Sequence, residues 1–295
     1  MSKLLDPKVL LAIKDLSLAA KTVVDSFMTG INKSSIKGPG LEFSQYRSYQ
    51  PGDDLRWLDW KMYARSDRYY IRESEIETSI SISFLIDASG SMNHADSGIK
   101  KIDYARYLAA SLAYLANLQG DAVGLYIFNE EGLFSLASRQ DFQHLSRIFH
   151  ELEETKAGGK FTKPITYRDI YSGSRKRELL VFITDFYEQD GEIFHLIDTL
   201  SALKNELIVF HLMGKNELDL NYKGYTELED LETGETVKID VNSSKDQYQE
   251  NLEKHLSQLR MKLLDRKINY KLVSTHQALD QVLRDYLNQL NKFRG

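Results

Sequence analysis

Asp87, Ser89 and Ser91 alternate through SISISFLIDASGSMN, residues 79–93, where an apolar, β-branched run from Ile80 to Ile86 gives way to an acid, two hydroxyls and Gly90. A carboxylate and two hydroxyls spaced by two converge on one point when the chain turns tightly, and Gly90 permits such a turn. All three are hard oxygen donors. With few carboxylates among them they suit an octahedral ion that keeps part of its water shell, so Mg²⁺ is expected and Mn²⁺ would also fit. The string alone is weak, because average residue usage yields it by chance in roughly one chain of this length in ten, and Asp, Ser and Gly are ordinary turn residues. A second acid strengthens it: LLVFITDFYEQ places Asp185 after another apolar run, in the position that matches Asp87.

The elements that must position these residues read as buried strands alternating with helices, the pattern of a mostly parallel, doubly wound α/β sheet covered on both faces. The strand-like runs are Ile80 to Ile86, Ala122 to Phe128, Leu179 to Thr184, Leu207 to Leu212 and Ile268 to Val273. In such sheets ligands bind outside the carboxyl ends of the strands, where the crossover direction reverses, and both acids stand at strand ends. A helix between the first two runs ends near Gly120, and Leu133 to Ala137 reads as an antiparallel edge strand. A second hairpin is expected around Thr233 and Gly234, inserted near residues 222–242. Helices are predicted from about Asp246 to Arg266 and from about His276 to Phe293.

Ahead of this domain, Asp6 and Pro7 read as the cap and first position of one amphipathic helix, with Leu5, Val9, Ile13, Leu16, Ala20, Val23 and Phe27 at helical spacing. Three segments result: an N-terminal helix over 1–30, a small β-rich subdomain over 31–78, and the α/β domain over 79–295. The middle segment holds Pro39 and Pro51, each beside glycine, and both tryptophans. Its charges alternate in sign around Trp57 and Trp60 (Arg47, Asp53, Asp54, Arg56, Asp59, Arg65, Asp67, Arg68 and Arg72), which suits ion pairs and arginine stacking in an architectural role.

Composition narrows the function. The 295 residues carry no cysteine, so disulfides, thiolate zinc sites and cysteine nucleophiles are out, and a reducing, cytoplasmic setting is expected. A net charge of -5 gives no electrostatic reason to expect nucleic acid as a partner. No apolar run reaches the roughly 20 residues of a membrane span, and early charges argue against a signal peptide. Catalysis fits poorly as well. An aspartyl phosphotransfer site would want a carboxylate where Ser89 stands, and a nucleophile elbow needs glycines where Asp87 and Ser91 stand. His94 has no evident orienting acid, the phosphate-loop pattern fails at Glu154 and Phe161, and the seven histidines form no close pair.

FLIDASGSM with FITDF resembles the von Willebrand factor A fold and its metal-ion-dependent adhesion site. GPGLEFSQYRSYQPGDDLRWLDWKMYARSDRYYIRESE and YTELEDLETGE resemble the signature and late insertion of the bacterial family called domain of unknown function 58. The resemblance implies that Ser89 and Ser91 bind the ion directly while Asp87 and Asp185 act through water or hold the serines. It also implies a threonine ligand on a second loop after a Gly-Gly pair. In AGGKFTKP that place is taken by Lys160, and Thr162, two residues on, is the candidate; alternatively Lys160 fills the site with its own charge. An Mg²⁺ ion held by neutral hydroxyls keeps an open position that a partner's Asp or Glu completes. The expected function is therefore a non-enzymatic, metal-dependent protein-binding adaptor, and the resemblance implies a MoxR-type AAA ATPase as partner. A Mg²⁺-dependent hydrolase and a structural scaffold with a degenerate site are the alternatives.

Overall fold

The computed structural model describes residues 6–33, 45–50, 58–73, 79–161, 178–188, 190–203, 205–222 and 224–294. They fall into two units, Met1–Thr29 with Ile80–Gly295, and Gly30–Ser79. The chain begins with α1 (Pro7–Leu10) and α2 (Leu16–Lys33). One helix was expected here, and the break has a local cause. Asp6 caps α1 through Lys8 N (2.9 Å), but Asp15 starts a new helix by accepting Leu18 N (2.9 Å), while Glu153 accepts Leu16 N (2.9 Å). Leu16, Ala19, Ala20, Val23, Val24 and Phe27 then form the buried stripe of α2.

The smaller unit pairs β1 (Gln45–Ser48) antiparallel with β2 (Tyr70–Glu73). Between them Trp60–Ser66 forms helix α3, an element that the β-rich expectation did not name. Asp59 caps it by accepting Lys61 N and Met62 N, and Asp67 ends it in the left-handed region at φ 55°. Two of the alternating charges thus serve as helix caps. Asp53, Asp54, Arg56 and Trp57 lie outside the described residues.

In the larger unit the strands are β3 (Ser81–Asp87), then the two-residue pair β4 (Ala95–Asp96) and β5 (Ile99–Lys100), β6 (Ala122–Asn129), β7 (Gly132–Arg139), β8 (Leu179–Thr184), β9 (Glu206–Met213), β10 (Tyr225–Glu229), β11 (Thr236–Asp240) and β12 (Asn269–Ser274). The helices between and after them are α4 (Lys101–Leu118), α5 (Phe142–Glu154), α6 (Glu192–Ala202), α7 (Lys215–Asp219), α8 (Val241–Asp265) and α9 (Leu279–Arg294). The central sheet runs β12-β9-β8-β3-β6-β7, parallel throughout except for β7, which returns antiparallel along β6 at the edge. This is the doubly wound sheet the strand pattern predicts. Helix α4 covers one face, with α5 beside it, and α6 and α8 cover the other through Ile193, Leu196, Ile197, Leu200, Leu259 and Leu263. Burial on both faces shows in β3 and β8 as burial without alternation, and β8 is apolar up to its final Thr184.

From β3 the chain winds one way to β6 and β7, then crosses back to β8 on the other side of β3. The loops leaving β3 and β8 therefore diverge, and the carboxyl ends of these neighbours form the switch point where such sheets hold ligands. The loop after α5 is held to this rim by Phe161, whose ring stacks on Phe128 (5.4 Å between centroids) and approaches Phe182 (6.3 Å). Replacing this buried ring in Phe161→Ala is expected to lower stability by about 3–5 kcal/mol, read from urea unfolding. A loss below about 1 kcal/mol would show that the ring does not anchor the loop.

Candidate metal centre

Asp87 closes β3 fully buried, and its two oxygens are spoken for. Oδ1 accepts Ser89 N (2.9 Å) and Oδ2 accepts the Thr184 hydroxyl (2.6 Å) from the end of β8. Asp185 follows Thr184, and a left-handed Phe186 (φ 55°) bends the chain sharply after it. The Ser91 hydroxyl donates to Asp185 Oδ1 (3.0 Å), which spends its proton; at 3.0 Å from it, the Ser89 hydroxyl is then the donor to Ser91. The structure brings Asp87, Ser89, Ser91 and Asp185 into one buried chain of hydrogen bonds. Thr162 lies outside the described residues.

The second loop reaches the turn through its backbone. Gly90 N donates to Gly159 O (2.7 Å) and Gly158 N to Ala88 O (2.9 Å). Lys160 is exposed. The ammonium that meets Asp185 is instead that of Lys101, which donates to Asp185 Oδ2 (2.9 Å) and Glu217 Oε1 (2.7 Å). Burial pulls the Lys101 pKa down, but the Asp185 and Glu217 charges outweigh it and hold the group above its usual range. Asp185 shows the converse: burial raises it, and the Lys101 charge and hydrogen bond carry it below the usual carboxylate range. For Asp87, burial and then the Asp185 charge win, pushing it up to about 7 against the Thr184 and Ser89 hydrogen bonds. His211, pushed to about 4 chiefly by burial, is neutral beside them.

His94 is no partner of Ser89: its Nε2 lies 3.0 Å from Asn216 Oδ1. Asn216 N also donates to Asp96 Oδ2 (3.0 Å), so the excursion between β3 and α4 is tied to the start of α7. A cleft of about 390 Å³ opens beside these groups, with Lys101, Asp185, Glu217, His94 and Glu229 among its walls.

Sequence reasoning missed three contributors. Lys101 carried a faint signal: it is the first residue of α4, where a cation opposes the helix dipole, so a buried lysine there needs carboxylate partners. Glu217 had none. Glu232 sits in the tip of the β10–β11 hairpin, far away in sequence, yet its carboxyl faces the turn. Burial and then the Asp185 charge push it up to about 7. Its Oε1 is buried without a hydrogen-bond partner.

These residues fit a hard divalent cation. The serine protons point along the chain toward Asp185, which leaves lone pairs of both hydroxyls available, and the orphaned Glu232 oxygen is one more hard donor beside them. Among the described residues no group of three or more His, Asp or Glu side chains is arranged to hold a metal, so a bound ion would depend on the hydroxyls.

A doubly wound sheet with an oxygen-lined turn at its switch point defines an α/β domain with a candidate cation-binding rim. The chain belongs to the protein family of unknown function DUF58, whose model matches residues 45–258. The uncharacterized protein Rv1480 of Mycobacterium tuberculosis is 26% identical over 241 residues, 80% of this chain and 75% of that one. Among solved structures, conserved hypothetical protein BatB from Bacteroides thetaiotaomicron is similar over 72% of this chain and 100% of its own (15% identity, TM-score 0.47). The SpRpn10 VWA domain is similar over 70% of this chain and 95% of its own (11% identity, TM-score 0.40). Among the described residues no helix is long and apolar enough to cross a membrane.

Removing the ammonium in Lys101→Met strands two carboxylates. In chelator-containing buffer this substitution is expected to cost about 3–5 kcal/mol in urea unfolding. An unchanged midpoint would mean that the ion pairs do not hold the rim together.

Proposed function

We propose that this protein is a non-enzymatic adaptor that binds another protein through a divalent cation, Mg²⁺ or Mn²⁺, held by Ser89 and Ser91 with Asp87 and Asp185 behind them. The observation that carries the reading is the hydrogen-bonded chain of two loop hydroxyls, Ser89 to Ser91 to Asp185, at the switch point of the sheet. Serine oxygens leave the ion most of its charge, which suits capture of a carboxylate better than activation of a nucleophile. The histidine nearest in sequence, His94, is engaged with Asn216 and not with either serine. Thr162 remains the candidate ligand from the second loop. The partner is one that presents an acidic side chain, and the family resemblance favours a MoxR-type AAA ATPase in the cytoplasm.

A cation-free scaffold is the second reading, favoured by the Lys101 ammonium already bonded to Asp185. The two readings separate in one measurement. The adaptor reading expects Mg²⁺ at a hundred times its Kd to stabilise the protein by about 2.7 kcal/mol, a rise of several degrees in Tm. Ser89→Ala should keep the fold and abolish that rise. Equal Tm values with Mg²⁺ and with chelator in the wild-type protein would favour the scaffold, and phosphoester turnover lost in Asp87→Ala would favour a hydrolase. Recovery of an ATPase partner with Mg²⁺ but not with chelator would support the adaptor directly.

A further inference from the structure

The β10–β11 hairpin makes an unusual use of its buried contacts. Its strands are mostly exposed, with Tyr225 89% and Val237 61% accessible, so little apolar surface holds it to the body. A two-stranded ribbon of this kind is marginal by itself. Its tip is docked on the rim. Asp230 shapes the tip by accepting Glu232 N (2.8 Å) and Thr233 N (3.2 Å) on Oδ1, and its Oδ2 accepts the hydroxyl of Tyr187, two residues after Asp185. Leu231 O lies so close to the serine turn that a Cβ at Gly90 would stand 2.5 Å from it. Directly after these two contacts the chain delivers Glu232 toward Ser89 and Ser91, with Oε1 buried and unpaired.

A carboxylate delivered to two serine hydroxyls is the chemistry that a partner's acidic side chain would bring to the same place. We propose that Glu232 is the chain's own carboxylate ligand for the cation at this rim, and that a partner binds by exchanging its acidic side chain for Glu232 as the hairpin lifts. The inference rests on the metal-dependent reading above and adds to it an occupant of the open position. The orphaned oxygen supports it, because a buried carboxylate oxygen without a hydrogen-bond donor is costly unless a cation satisfies it. The sparse burial of the strands supports the exchange, since segments with few apolar contacts open at low cost.

The test is Mn²⁺ titration by calorimetry on the full chain, for wild type, Glu232→Gln, Tyr187→Phe and Ser89→Ala, each with and without acetate, and with circular dichroism to verify folding. Wild type should bind Mn²⁺, and acetate should leave its affinity unchanged. Glu232→Gln keeps shape and size but loses the charged donor, so its affinity should fall at least about tenfold, and acetate should restore it. Tyr187→Phe, which frees the tip without touching the proposed donors, should weaken binding in the same direction and respond to acetate. If Glu232→Gln binds as tightly as wild type with acetate inert in both, the internal ligand is refuted while the metal reading stands. If wild type and Ser89→Ala both fail to bind Mn²⁺, the metal reading falls and takes this inference with it.

Discussion

Burying carboxylates at the ends of two adjacent parallel strands is the constraint from which the rest of the rim follows. Asp87 and Asp185 are nearly inaccessible, and an unpaired charge in such a place is too costly to persist. The protein answers for each differently. Asp87 is met by a backbone amide and the Thr184 hydroxyl, which stabilise it without a full charge, so burial still carries its pKa upward. Asp185 is met by the Lys101 ammonium, which holds it ionised. Neighbouring acids with opposite shifts are the mark of a site built around one retained charge. That charge is the end to which the serine hydroxyls point.

Because β3 and β8 are neighbours with diverging exits, the residues that answer for these acids come from widely separated parts of the chain. Thr184 and Asp185 leave β8, Ser89 and Ser91 leave β3, Lys101 opens α4, Glu217 belongs to α7 and Glu232 to the hairpin tip. Lys101 is the hub, since its ammonium joins the β8 loop to α7. The Asn216 contact with Asp96 braces the same junction from outside. Local elements thus have little freedom to move singly. The hairpin is the exception, because its strands bury little apolar surface.

The sheet was largely legible in the sequence because fully buried strands leave an unmistakable record. Five apolar runs predicted five strands, with the ends shifted by a residue or so, and the edge strand followed from the tight turn before Leu133. Asp87, Ser89, Ser91 and Asp185 were legible for a related reason: a polar residue that directly follows an apolar strand has its location fixed by the sheet. Glu217 and Glu232 were not, since acids on a short helix or a hairpin tip look like any solvated surface. Their meaning depends on long-range docking that no local pattern encodes. The single N-terminal helix failed through a competing local signal, Asp15, whose capping bond to Leu18 outweighs continuation of the apolar stripe.

Gly90 gathers these constraints at one backbone position. Its amide is spent on Gly159 O, which fixes the second loop, and the space where a side chain would begin lies 3.0 Å from that oxygen and 2.5 Å from Leu231 O of the hairpin. Turn, loop and hairpin can close on one another only around a residue without a Cβ. The conformational freedom usually invoked for glycine in tight turns is therefore not the main reason for it here. A methyl group at position 90 would leave Ser89 and Ser91 able to face Asp185, yet it would force the loop or the hairpin away. Since the hairpin has the fewer buried contacts, it is the part that gives way, so the closed rim is possible only while position 90 lacks a side chain.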